Sequence, residues 1–223
     1  MTPASPESIR ESIFPLGAVL WPIEGYATRF PVRRVFCVGK NYADHVAEMG
    51  GDAARSTPVI FTKDAACLVG SESEIAFPPA TRDLHYETEL VVAIGATGEA
   101  WGHAVGLDMT RRDLQGEFKA AGQPWDRAKS FADSAPLGAI RPGGVAENAR
   151  LWLEVNGELR QDARVNAMMW SVEEIVEFLR ADMGLGPGDL VFTGTPAGVG
   201  AVGPGDRLVA RAEGLPELRV GYR

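Results

Sequence analysis

Residues 84–95 read LHYETELVVAIG, and this stretch constrains the rest of the chain more than any other. Alternation along a strand puts His85, Glu87, Glu89, Val91 and Ala93 on one side, and Tyr86, Thr88, Leu90, Val92 and Ile94 on the other. Both sides turn apolar after Glu89, as expected of a strand covered on two faces. Two carboxylates sharing a face beside such a core repel each other and resist desolvation. Positive charge is therefore expected between Glu87 and Glu89.

The rest of the chain supplies the body around that strand. It has 223 residues, enough to bury a substantial core, and its 26 glycines and 15 prolines favour short strands and tight turns over a helix bundle. RRVFCVGK (33–40) reads as a strand ending at a glycine turn, TPVIFTKD as another, and AVGLD as a short strand ending at Asp108. NYADHVAEMGG reads as a short helix capped by Asn41 and stopped by Gly50–Gly51. TRRDLQGEFKAAG reads as a helix with Thr110 and Asp113 as a capping pair and Gly122 at its end. LWLEVNGELRQ predicts a hairpin turning through Asn156–Gly157, and SVEEIVEFLRADMG an amphipathic helix. PGDLVFTG and PGDRLVARAEG each open on the same turn before a strand. The order predicts an α+β, mainly β domain built on a rolled or sandwiched sheet. Residues 1–32 read as an N-terminal extension packed on the body formed by 33–223.

A formal charge of −8 argues against nucleic acid or an anionic membrane as the main partner. It leaves room for an anionic small molecule, because a metal or a few local cations reverse the field inside a pocket. The two cysteines, Cys37 and Cys67, sit in apolar runs and read as reduced core residues. LGAVLWPIEG is interrupted by Pro22 and Glu24, so neither a signal peptide nor a membrane span is predicted, and the expected location is cytoplasmic.

Three histidines, His45, His85 and His103, limit any imidazole chemistry, and no Gly-x-Ser-x-Gly elbow supports a serine nucleophile. Glu87, Glu89 and Asp108 offer three hard oxygen donors suited to a divalent cation; the same pattern fits an acidic strand edge, and the residues alone leave both open. His45 and Glu48 share a helix face, an arrangement that activates water in an enzyme and pairs charges on an ordinary surface. Arg112 and Gln115 share a face just after Asp108, with Lys119 one turn on and read as solvated. Lys129 lies in a loop between small and aromatic residues, either solvated or held against a developing oxyanion. FTGTPAGVG offers Thr193 or Thr195 in a glycine-rich turn without the ending of a phosphate loop.

Taken in order, CVGKNYADHVAEMG, HYETE, LDMTRRDLQ, AKSF and GDLVFTGTPAGVG closely resemble the fumarylacetoacetate hydrolase family, in particular its short, acylpyruvate-hydrolase-like members. The resemblance implies a fumarylacetoacetase-type β-roll over residues 33–223, and makes Glu87, Glu89 and Asp108 ligands to Mg²⁺ or Mn²⁺. It implies substrate contacts from Arg112 and Gln115, with Lys63 and Thr195 as further pocket positions. It also makes His45 and Glu48 a catalytic pair on a lid helix and Lys129 the active-site lysine. Two departures stand out: the run from Glu89 to Asp108 is short, and Asp64 follows Lys63 where relatives often carry proline. The implied activity is metal-dependent cleavage of a carbon–carbon bond in an acylpyruvate or fumarylpyruvate by a homodimer. Decarboxylation or keto–enol tautomerisation of oxaloacetate is the alternative, and a catalytically silent dimer that binds metal and keto acids a third.

Overall fold

The computed structural model describes residues 17–48, 50 and 57–223. Its architecture is mainly β with a few helices, the class expected. A large mixed sheet runs in the order Val59–Lys63, Val35–Gly39, Leu190–Phe192, Thr88–Ile94, Ala100–Leu107, Ala135–Leu137, Leu68–Gly70, with Arg141–Pro142 added beside Ala100–Leu107. A second sheet runs Glu158–Arg164, Arg150–Val155, Arg207–Ala212, Leu218–Tyr222, Ser73–Ile75, and a small one joins Thr110–Arg111, Leu84–Tyr86 and Gly200–Val202. Leu151, Leu153, Leu208 and Val220 of the second sheet pack against Leu84, Tyr86, Val105 and Leu107, forming one core between layers.

The strand Thr88–Ile94 is buried along its whole length, and its two faces are covered by different partners. Val92 and Ile94 meet Ile175, Val176 and Leu179 of the helix Val172–Met183. Val91 and Ala93 meet Phe192 and the N-terminal hairpin formed by Val19–Pro22 and Arg29–Val32, through Trp21, Phe30 and Val32. Burial of each large aliphatic side chain here contributes about 1.5–3 kcal/mol by area. Gly106 is required opposite this strand, since a Cβ there would lie 2.5 Å from the Phe192 ring. Residues 1–16 of the expected extension lie outside the described residues.

Several local expectations change. LHYETELVVAIG is two strands rather than one: Leu84–Tyr86 belongs to the small sheet, Thr88–Ile94 to the large one, and Glu87 sits at the break. Asn41, expected to cap the helix Ala43–Glu48, instead donates to Trp170 O (3.0 Å) and Thr193 O (2.8 Å) and accepts from Trp170 N (2.8 Å). These long-range partners outcompete a local cap because Asn41 is buried. Gly50 ends that helix in a left-handed turn (φ 70°), while Met49 and Gly51 lie outside the described residues.

Thr110 and Asp113 do not form a capping pair. Thr110 lies in a strand, and Asp113 accepts from Thr81 Oγ1 (2.6 Å) and from backbone N–H groups of Arg82 and Leu114. Gly122 terminates Arg112–Ala121 as expected, in the left-handed region. The Asn156–Gly157 hairpin forms, both residues at positive φ. Asp189 of the first Pro-Gly-Asp turn accepts from Arg33, Arg34 and Gly186 N–H, tying that turn to the start of strand Val35–Gly39.

Candidate active site

Strand pairing assembles the acidic cluster. Thr88 pairs with Leu107 and Glu89 with Gly106, and Asp108 N–H donates to Glu87 O at 2.9 Å, so Asp108 leaves its strand beside the break that carries Glu87. One oxygen from each of Glu87, Glu89 and Asp108 lies within 4.8 Å of the others, and all three residues are buried. Such a set of hard oxygens fits a divalent cation with positions left for water or substrate.

The positive charge demanded by the opening stretch comes from three side chains. Lys129 Nζ, at the end of the short helix Asp126–Lys129, reaches Glu87 Oε2 (2.8 Å), Asp108 Oδ2 (2.7 Å) and Thr110 Oγ1 (2.6 Å). Lys63 Nζ, at the end of Val59–Lys63, lies 2.8 Å from Asp108 Oδ1, an ion pair outside hydrogen-bond alignment. The same ammonium donates to Met109 O, Lys129 O and Ser134 Oγ. Arg112 Nη2 reaches Glu87 Oε1 and Arg112 Nη1 reaches Gln115 Oε1, both at 2.5 Å. The solvated-loop reading of Lys129 is thereby excluded, since its side chain is 3% exposed.

These neighbours divide the carboxylates electrostatically. Burial alone would raise Glu87, but Lys129, Arg112 and His45 hold it below the usual carboxylate range. Glu89 is pushed well above that range by burial, then by Asp108 and Glu87, with only partial relief from Gly194 N–H at 2.7 Å. Burial opposes the charge on Lys129 too, yet Asp108 and Glu87 keep its ammonium above its ordinary value.

A cavity of about 360 Å³ opens over the cluster, lined by Glu87, Glu89, Asp108, Lys129, Arg112, Gln115, His45 and Thr195, with Lys40 and Lys119 at its solvent side and Phe61 and Trp125 among its apolar walls. His45 enters from the helix Ala43–Glu48, its Nδ1 3.5 Å from Glu48 Oε2 and without a formed hydrogen bond. Burial pushes its pKa down, against the pull of Glu87 and Glu48, so the ring is neutral at neutral pH. Both Glu48 oxygens accept from Gly198 N–H (3.1 and 3.2 Å), which docks this helix on the loop bearing Thr195.

His85 lies outside the cavity, bound to Asp83 (2.8 Å) and Arg112 Nε (3.4 Å), and His103 is bound to Gly143 O (2.7 Å). Thr193 is structural, donating to Leu90 O. Two contributors escaped the sequence. Gln161 donates to Thr195 Oγ1 (2.8 Å) and Pro196 O (2.9 Å) while accepting from Thr88 N–H, from a strand that is otherwise mostly exposed. Thr110 holds Lys129; its position two residues after Asp108 in extended chain was the available signal.

The fumarylacetoacetate (FAA) hydrolase C-terminal family matches residues 34–221. The chain belongs to that family. Among curated proteins it is 44% identical over 170 residues to a fumarylpyruvate hydrolase of a Ralstonia species, covering 71% of this chain and 88% of the relative. It is 41% identical over 200 residues to the mitochondrial oxaloacetate tautomerase of Rattus norvegicus, covering 84% and 90%. The crystal structure of Pseudomonas aeruginosa fumarylpyruvate hydrolase in complex with Mn²⁺ and pyruvate superposes with a TM-score of 0.91 at 44% identity, covering 95% of this chain and 99% of that one. Among the described residues no helix is long and apolar enough to cross a membrane.

Proposed function

We propose that this protein is a divalent-metal-dependent hydrolase that cleaves the carbon–carbon bond of an acylpyruvate-type β-diketo acid, such as a fumarylpyruvate, to pyruvate and a carboxylic acid. The observation that carries this is the meeting, in one cavity, of a buried carboxylate triad with a neutral His45 backed by Glu48. Three cations, Lys63, Lys129 and Arg112, face Glu87 and Asp108, while burial and its acidic neighbours push Glu89 towards the neutral form until a cation binds. With a dication bound and Glu89 ionised, three carboxylates offset the three cations, and the ion would leave an excess of two positive charges for a substrate whose carboxylate and enolate oxygens carry two negative ones.

Glu87, Glu89 and Asp108 would hold Mg²⁺ or Mn²⁺. When bound, the ion supplies Lewis-acid polarisation of the keto-acid oxygens. Arg112, fixed by Glu87 and Gln115, holds the acid in register. Thr195 Oγ accepts from Gln161, which leaves its own proton free to donate to a substrate oxygen. His45 takes a proton from water as that water adds to the carbonyl carbon remote from the carboxylate, with Glu48 steadying the imidazolium. The carbon–carbon bond then breaks, its electron pair passing to the pyruvate fragment as an enolate beside Lys129 and Gln115. Return of the proton to carbon completes pyruvate and frees the acid.

A second reading is favoured by the rat relative: keto–enol tautomerisation of oxaloacetate, in which His45 moves a proton at carbon without adding water. Turnover of acetylpyruvate, fumarylpyruvate and oxaloacetate by purified protein, with Mg²⁺, with Mn²⁺ and after chelation, separates the two. Hydrolysis of either acylpyruvate only with metal supports the first; equal activity after complete metal removal sinks both. We place the protein in the cytoplasm, a reading supported by its two buried free cysteines. We also assign residues 33–223 as the catalytic unit of a homodimer, with 1–32 as its extension; light scattering tests the dimer.

A further inference from the structure

We propose that Gln161, which lies outside the described lining of the cavity, is a positioning residue that fixes the Thr195 hydroxyl as a hydrogen-bond donor to the bound keto acid. That corner of the site then receives a bare oxygen, a carboxylate or keto oxygen, and not a group that must itself donate. The inference rests on the keto-acid reading of the cavity and specifies what Thr195 does there.

The polarity follows from two backbone groups that have no choice. Thr88 N–H can only donate, so the Gln161 amide turns Oε1 towards it at 2.9 Å. Pro196 O can only accept, so Nε2 faces that side, also at 2.9 Å. Both constraints select the same amide orientation, and Thr195 Oγ1, 2.8 Å from Nε2, is left accepting. The single proton of the hydroxyl must then point elsewhere, and among the described residues no protein group accepts it. Thr195 is 3% exposed and lines the same cavity as Glu87, Glu89 and Asp108. A buried hydroxyl in that position, its acceptor side filled and its proton unspent, calls for an oxygen of the bound molecule.

The strand Glu158–Arg164 also fixes the rest of the turn. Gly198, in the left-handed region (φ 93°), packs on Arg160 so closely that a Cβ would collide with Arg160 O. At the other end Gly194 N–H donates to Glu89 Oε2 at 2.7 Å. Thr195 is thus carried on a segment clamped on both sides, and Gln161 sets the one freedom that remains, the direction of its hydroxyl proton.

Calorimetric titration of pyruvate into protein saturated with Mn²⁺ tests this without turnover. Gln161→Glu keeps the shape of the side chain but cannot donate to both Thr195 and Pro196; Gln161→Met, which donates nothing, is the second variant. Each should weaken pyruvate binding about tenfold, the scale of one hydrogen bond to a charged oxygen, and by less than about twofold when Thr195→Val is already present. Thr195→Val alone should lose about tenfold, and Thr195→Ser, which restores the hydroxyl, should stay within about threefold of wild type. A merely structural Gln161 would weaken binding equally in both backgrounds, and that result overturns the proposal. So does unchanged pyruvate affinity in Thr195→Val, a measurement that needs no Gln161 variant to fold. Failure of pyruvate to bind wild type would instead overturn the keto-acid reading beneath it.

Discussion

Replacing Lys129 with methionine removes one of three cations from the acidic cluster while keeping the length of the side chain. Its ammonium touches Glu87 at 2.8 Å and Asp108 at 2.7 Å with the side chain 3% exposed, so the pair is fully desolvated. Stripping one partner from a buried ion pair costs about 3–5 kcal/mol. Lys63 stays on Asp108 and Arg112 on Glu87, which places the expected loss near the low end, about 3 kcal/mol. For a chain of this size that lowers the melting temperature by about 6–12 °C in chelator. A divalent ion should then restore more stability than it gives wild type, because it supplies the missing positive charge and no longer meets a neighbouring ammonium. In wild type an ion at a hundred times its Kd adds about 2.7 kcal/mol. Calorimetric melting of both proteins in chelator and in excess Mn²⁺ measures the two increments, while turnover should fall in the variant. A variant no less stable than wild type in chelator, or one with an equal metal increment, would refute the electrostatic account of the centre.

Gly116 lies within the helix Arg112–Ala121 at an exposed position, and a Cβ there would meet nothing within 4 Å, so Gly116→Ala should stabilise by about 0.5–1 kcal/mol in thermal melts. Asp189 is held below its ordinary pKa, burial being outweighed by hydrogen bonds from Arg33, Arg34 and Gly186. Its contribution is therefore complete above the unfolded carboxylate range and lost as pH falls through the folded value; Asp189→Asn should cost about 2–3 kcal/mol at neutral pH, a gap that closes in denaturant titrations towards pH 3. Burial lowers the His45 pKa, so kcat/KM should hold down to about pH 6.5 and fall only below it, as the ring protonates. His45→Ala should keep metal binding and lose hydrolysis by more than about tenfold.

What the chain disclosed in advance follows the range of the interactions involved. The two-sided burial of Thr88–Ile94 was written in its unbroken apolar run, and the Asn156–Gly157 turn in two residues. The break at Glu87 was not legible, because it is imposed by Thr110 and Gly200 pairing with the segment before it, more than ten residues away. The cations on Glu87 and Asp108 were invisible as pairs for the same reason: Lys63 and Lys129 approach from separate elements. The capping readings of Asn41 and Thr110 failed where a buried polar side chain found distant partners that a local motif does not reveal. Gln161 was hidden in a strand whose neighbours face solvent.

The backbone changes sheets at Glu87, and Asp108 leaves its strand at the same point, so an ion gripping both would rivet two layers of the frame together. Its withdrawal would slacken a structural joint as well as empty the proposed reaction chamber. Scarcity of that ion would thus shorten the working life of the whole molecule along with its turnover, tying durability and output to a single atom.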